Sequence, residues 1–127
     1  MEATGICHWI NVATERDERG VLSHLEEGNG FPFPVKRFFF IREVPEDATR
    51  AGHATRNCDQ LVLAARGRFT VKVGRDGACE EFEVSDDGRA LFMPAGCWRE
   101  LCNFSPGAIC MVLASEIYSR SDYSDKP

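Results

Sequence analysis

A chain of 127 residues has material for one hydrophobic core and one domain, and 43% apolar residues are enough to build it. The formal charge of −5 argues against a broad nucleic-acid face, and no apolar run approaches the roughly 20 residues that a membrane helix needs. The stretch Met1 to Asn11 lacks the basic-then-apolar order of a secretion signal, and the six cysteines include no Cys-x-x-Cys pair, so the expectation is a cytoplasmic protein with reduced thiols.

In chain order, glycine and proline break the sequence into strand-sized pieces. Asp17 to Glu27 admits a helix, weakened by Gly20 in its first turns. Phe31-Pro32-Phe33-Pro34 reads as a rigid extended connection, and Arg37 to Ile41 as an aromatic, β-prone strand. Arg50 to Arg56 is extended, and Gln60 to Ala65 is a short buried strand. Arg68 to Val73 and Glu81 to Val84 alternate polar with apolar residues around Asp76-Gly77, which makes them a hairpin. Ala90 to Met93 and Ala108 to Ala114 are core strands by their hydrophobicity, and the polar tail 119–127 should fray. Strands of this spacing indicate an all-β sandwich or barrel in a single domain, 1–127.

Chemistry is sparse. His8 and His24 have no carboxylate or cysteine at ligand spacing. His53 follows a turn inside an extended segment, which puts it on one face with Thr55. An imidazole titrates near neutrality and can both take and give a proton, although a lone histidine also serves structure by bonding a backbone carbonyl. Arg37, Arg50, Arg56, Arg66 and Arg99 are candidates for phosphate contacts, against solvation or ion pairing. Gln60 is a candidate inward-facing amide, and Trp98 could pack on a base or sugar as well as in the core. Adjacent acidic pairs such as Glu80-Glu81 point to opposite faces of a strand, and Gly28-Asn29-Gly30 is too short for a phosphate loop.

The segment from Gly88 through Pro94 and Gly96 to Asn103 resembles the second motif of the cupin superfamily, with Arg99 in the place of its histidine. His53, Thr55, Gln60 and Gly67 match the positions of the first motif. The resemblance implies a cupin-type jelly-roll β-barrel. The four usual metal ligands fall at His53, Thr55, Gln60 and Arg99, and one imidazole among neutral or cationic side chains is a poor divalent-ion site, so no metal is expected.

A closer likeness runs from about Arg19 to Tyr123. Pro32-Phe33-x-Val35-Lys36-Arg37, Arg50-x-Gly52-His53-Ala54, Trp98-Arg99-Glu100, Asn103-Phe104-Ser105, Val112 to Ser115, Tyr118 and Asp122-Tyr123 are similar to the sugar 3,4-ketoisomerases, the WxcM-like or FdtA-like cupins. The resemblance implies metal-independent enzymes without a cofactor. They move the carbonyl of a dTDP-linked 4-keto-6-deoxy sugar from C4 to C3, for surface polysaccharide synthesis. It also implies homodimers that exchange N-terminal strands. Two features of the family are absent. Thr55 stands where the first motif carries a second histidine, and Phe38-Phe39-Phe40 lacks the usual strand tyrosine. The expectation is therefore an isomerase with His53 as catalytic acid–base residue and Arg37, Arg50, Thr55, Gln60, Trp98 and Arg99 around a nucleotide sugar. The alternative is a non-catalytic cupin that binds a sugar nucleotide or partners a polysaccharide enzyme.

Overall fold

Twelve short strands follow one another among residues 7–28 and 30–124, which are the ones described by this computed structural model. They are β1 (His8–Asn11), β2 (Ala13–Asp17), β3 (Gly20–His24), β4 (Arg37–Arg42), β5 (Arg50–Thr55) and β6 (Gln60–Arg66). Then come β7 (Arg68–Arg75), β8 (Ala78–Ser85), β9 (Arg89–Met93), β10 (Trp98–Cys102), β11 (Ile109–Ala114) and β12 (Tyr123–Ser124). One sheet has the order β1-β9-β6-β11-β4, a second has β12-β5-β10-β7-β8, and β2 and β3 form a two-stranded sheet. The registered pairs are antiparallel.

Alternation drives the two sheets together. In β7, Phe69, Val71 and Val73 are buried between more exposed Arg68, Thr70 and Lys72. In β11 the buried set is Cys110, Val112 and Ala114. These faces meet with Val62, Val84, Leu91, Met93 and Leu101 in one core. Phe69 and Phe104 stack there, 5.1 Å between centroids. Each fully buried Val, Leu, Met or Phe side chain in this set stabilises the fold by roughly 1.5–3 kcal/mol relative to its exposed state. Two facing antiparallel sheets are the expected all-β jelly-roll arrangement. The β7–β8 hairpin turns on Asp76 (φ 53°) and Gly77 (φ 83°), both left-handed as a two-residue hairpin loop requires.

Two expectations are corrected. Asp17 to Glu27 does not form a helix, because Gly20 adopts φ 130° and the Asp17 carboxylate accepts the Arg19 N–H at 2.8 Å, which closes a β2–β3 turn instead. The tail does not fray as far as Ser124. A 3-10 turn, Arg120–Asp122, leads into β12, and Asp122 Oδ1 accepts the N–H groups of Arg56 at 3.0 Å and Asn57 at 2.8 Å. Residues 125–127 of the tail, the first six residues of the leader reading, and Asn29 of Gly28-Asn29-Gly30 lie outside the described residues. Among the described residues no helix is long and apolar enough to cross a membrane.

Candidate active site

The barrel interior opens into a cavity of about 210 Å³ whose polar lining is Arg37, Arg50, His53, Gln60, Arg99 and Tyr123. Ile41, Met93, Leu101 and Val112 supply an apolar wall. A larger hollow, about 650 Å³, lies beneath the β2–β3 hairpin against Leu63, Met111 and Leu113. It contains His24 but not the six polar groups just named.

A bulge aims His53. Opposite β10, Arg99 pairs with His53 but Glu100 pairs with Ala51, so Gly52 is the extra residue. Ala51 (φ 69°) and Gly52 (φ 76°) both take the left-handed conformation there. A bulge bends its strand and re-aims the flanking side chains. As a result Arg50, Ala51 and His53 all border the cavity, although simple alternation would separate neighbours. The His53 ring lies 4.3 Å from the Tyr123 ring, at 34° between planes. Arg37 Nη1 donates to Tyr123 Oη at 3.5 Å, and the Arg37 guanidinium sits 4.4 Å over the Phe39 ring and 5.2 Å from that of Tyr118.

Arg99 is the largest fully buried side chain, 2% exposed. Its Nη1 donates to Gln60 Oε1 at 2.6 Å, while Nε and Nη2 meet no hydrogen-bond partner among the described residues. Burial lowers its pKa from the usual arginine value. A buried cation with two unused donors is arranged for an oxygen or an anion from outside the chain. Nearby, the Cys97 thiol is pulled down to about 7, first by a hydrogen bond from Cys7 and then, against its burial, by the Arg99 and Arg75 charges. The Cys7 thiol is pushed up by the same bond and by burial.

Of the expected substrate residues, Arg37, Arg50, Gln60 and Arg99 converge with His53 on the cavity. Thr55 and Trp98 do not line it. Thr55 is 1% exposed, and its hydroxyl donates to the Cys58 carbonyl at 2.9 Å. Trp98 alternates with Arg99 along β10 and packs beside Gly74 on the other face. Arg56 borders a separate shallow groove with Asn57 and Asp122. The carboxylate of Asp59 is likewise engaged away from the cavity, accepting the Ala95 N–H at 2.8 Å. The sequence reading missed Tyr123 as a cavity residue. The available signal was Asp122, whose side chain anchors the tail to the β5–β6 connection.

The four positions that correspond to cupin metal ligands do not suit a divalent ion. Arg99 is a cation bonded to the amide oxygen of Gln60, and the Thr55 hydroxyl is committed to Cys58. Among the described residues no group of three or more histidine, cysteine, aspartate or glutamate side chains converges on one point. The chemistry present is one imidazole able to move a proton, a buried guanidinium able to stabilise negative oxygen, a phenol, and two further arginines.

The whole chain is similar to known proteins. The family described as FdtA, WxcM-like, C-terminal matches residues 6–126. The TDP-4-oxo-6-deoxy-alpha-D-glucose-3,4-oxoisomerase of Aneurinibacillus thermoaerophilus is 29% identical over 114 residues, covering 90% of this chain and 82% of that protein. Among solved structures, the TDP-quinovose 3,4-ketoisomerase WlaRB of Campylobacter jejuni is similar at a TM-score of 0.89 and 30% identity, covering 95% of this chain and 93% of its own. A histidine mutant of the 3,4-ketoisomerase QdtA of Thermoanaerobacterium thermosaccharolyticum, in complex with TDP-4-keto-6-deoxyglucose, is similar at 0.90 and 27%, covering 94% and 87%.

Proposed function

The chain belongs to the FdtA, WxcM-like family, and from that premise we propose that it is a 3,4-ketoisomerase of a TDP-linked 4-keto-6-deoxy sugar. The observation that carries the proposal is the convergence of His53 with Arg99, Gln60, Arg37 and Arg50 on one cavity.

His53 removes the C3 proton and returns a proton to C4 on the same face. Between the two steps the sugar is an enediolate, and the free Nε and Nη2 donors of Arg99 stabilise its oxygen. Gln60 fixes the Arg99 guanidinium in plane. Arg37 and Arg50 bind the diphosphate, whose oxygens match planar guanidinium donors. C3 is oxidised as C4 is reduced within one molecule, so the reaction balances without an external oxidant or cofactor. The product serves surface polysaccharide synthesis in the cytoplasm.

The working unit is a homodimer exchanging N-terminal strands. The β2–β3 hairpin supports this reading: among the described residues it pairs with no other strand, and it exposes Val21 and Leu22. An isolated two-stranded hairpin is marginally stable in water and gains most from a second surface.

Thr55 favours a second reading, a sugar-nucleotide binder without turnover, because its hydroxyl cannot replace an imidazole as a base. Incubation with TDP-4-keto-6-deoxyglucose, followed by NMR, separates the two. The enzyme reading predicts a new C3 carbonyl product, whereas unchanged sugar with calorimetric TDP binding overturns it in favour of the binder.

A further inference from the structure

Moving a carbonyl between neighbouring carbons requires two kinds of proton transfer. One proton leaves C3 and one arrives at C4; a second must leave the C3 oxygen and reach the C4 oxygen. His53 accounts for the carbon protons. An imidazole already holding the carbon proton has no free site for the other.

The described lining of the cavity contains no carboxylate and no thiol. Thr55, two residues after His53 in β5, has its hydroxyl turned to the Cys58 carbonyl. The strand that opens with Arg37 continues with three phenylalanines. Tyr123 is the one hydroxyl among the described lining residues. Its ring lies against His53, and its oxygen accepts from Arg37 Nη1, so the oxygen's own proton is left to donate.

We propose that the Tyr123 hydroxyl is the oxygen-proton relay of this site, working beside His53 on the carbon protons. The inference rests on the ketoisomerase reading above. The phenol donates its proton to the C4 oxygen as negative charge develops there. It then accepts the proton of the C3 hydroxyl as that oxygen becomes the carbonyl. The phenol ends as it began, and the sugar has exchanged an O–H at C3 for one at C4. Arg37 holds the phenol oxygen and disfavours its rotation away from the cavity.

Tyr123→Phe keeps the ring on His53 and removes only the hydroxyl. Wild type and variant are compared in deuterated water with TDP-4-keto-6-deoxyglucose, following deuterium at C3 of unconverted sugar and the rate of product formation by NMR. The expected result is product formation slowed about a hundredfold or more, with exchange at C3 retained and TDP affinity within about threefold. Product formation within about threefold of wild type overturns the relay. Parallel loss of C3 exchange also overturns it, since it would place Tyr123 in the carbon step. A wild type that leaves the sugar unchanged is a separate outcome, and it overturns the ketoisomerase reading together with the relay. O-methyltyrosine at position 123 repeats the test if the Phe variant does not fold, because it keeps ring and oxygen and replaces the transferable proton with a methyl group. The same slowing is expected, and an unslowed rate contradicts the relay.

Discussion

Arg99 reaches across the barrel from β10 and gives its Nη1 proton to Gln60 Oε1 on β6 at 2.6 Å, in an interior where its other two nitrogens have no partner among the described residues. Stability alone does not explain the arrangement. Taking a guanidinium out of water costs several kcal/mol, and one charge-assisted hydrogen bond to an amide oxygen returns only about 1.5–3 kcal/mol net.

The pair should therefore be dispensable for folding and needed for chemistry. The double variant Arg99→Met with Gln60→Leu is expected to be as stable as wild type or more stable by about 1–4 kcal/mol in urea denaturation. Its ketoisomerase rate should fall about a hundredfold or more. A variant that unfolds in dilute buffer, or one that keeps its rate, would show that the pair has a structural role only.

Gly67 joins β6 to β7 in a left-handed conformation, φ 75°. A Cβ there would lie 2.5 Å from Ser105 Oγ and 3.0 Å from the Ala108 Cα. Ser105 cannot simply turn aside, because its Oγ accepts the Arg68 N–H at 3.0 Å. Gly67→Ala should destabilise the fold by about 2–4 kcal/mol, combining left-handed strain with overpacking. Equilibrium unfolding checks the value, and a loss below about 0.5 kcal/mol would mean that the loop relaxes freely.

The alternating strands were legible because burial on one face imposes a period of two. Arg68 to Val73 and Ala108 to Ala114 fall within one or two residues of their observed bounds. The segment Asp17 to Glu27 misled because its apolar residues are few and exposed, so pattern carried little information and the turn chemistry of Asp17 and Gly20 decided. In the site, His53, Arg99 and Gln60 were readable from motif spacing. Trp98 and Thr55 were not separable from them in sequence. The strand face of Trp98 depends on alternation from Arg99, and the Thr55 hydroxyl is claimed by a carbonyl three residues on. Tyr123 reaches the cavity only through the pairing of β12 with β5, a contact between residues 68 positions apart, Thr55 and Tyr123.

The exposed apolar residues of the hairpin make the dimer testable. Val21 is 52% and Leu22 59% exposed. Wild type should sediment at twice the chain mass. Val21→Glu with Leu22→Glu should shift the equilibrium to monomer, because charges resist burial at an apolar contact. A variant that stays dimeric removes the hairpin from the interface.

The central claim is that His53 moves the carbon-bound protons. It is tested most directly with His53→Asn and TDP-4-keto-6-deoxyglucose in deuterated water, followed by NMR. Wild type should form product and admit deuterium at C3 and C4. The variant should do neither while binding TDP within about threefold of wild type. Deuterium exchange or product formation by the variant at the wild-type rate would contradict the account.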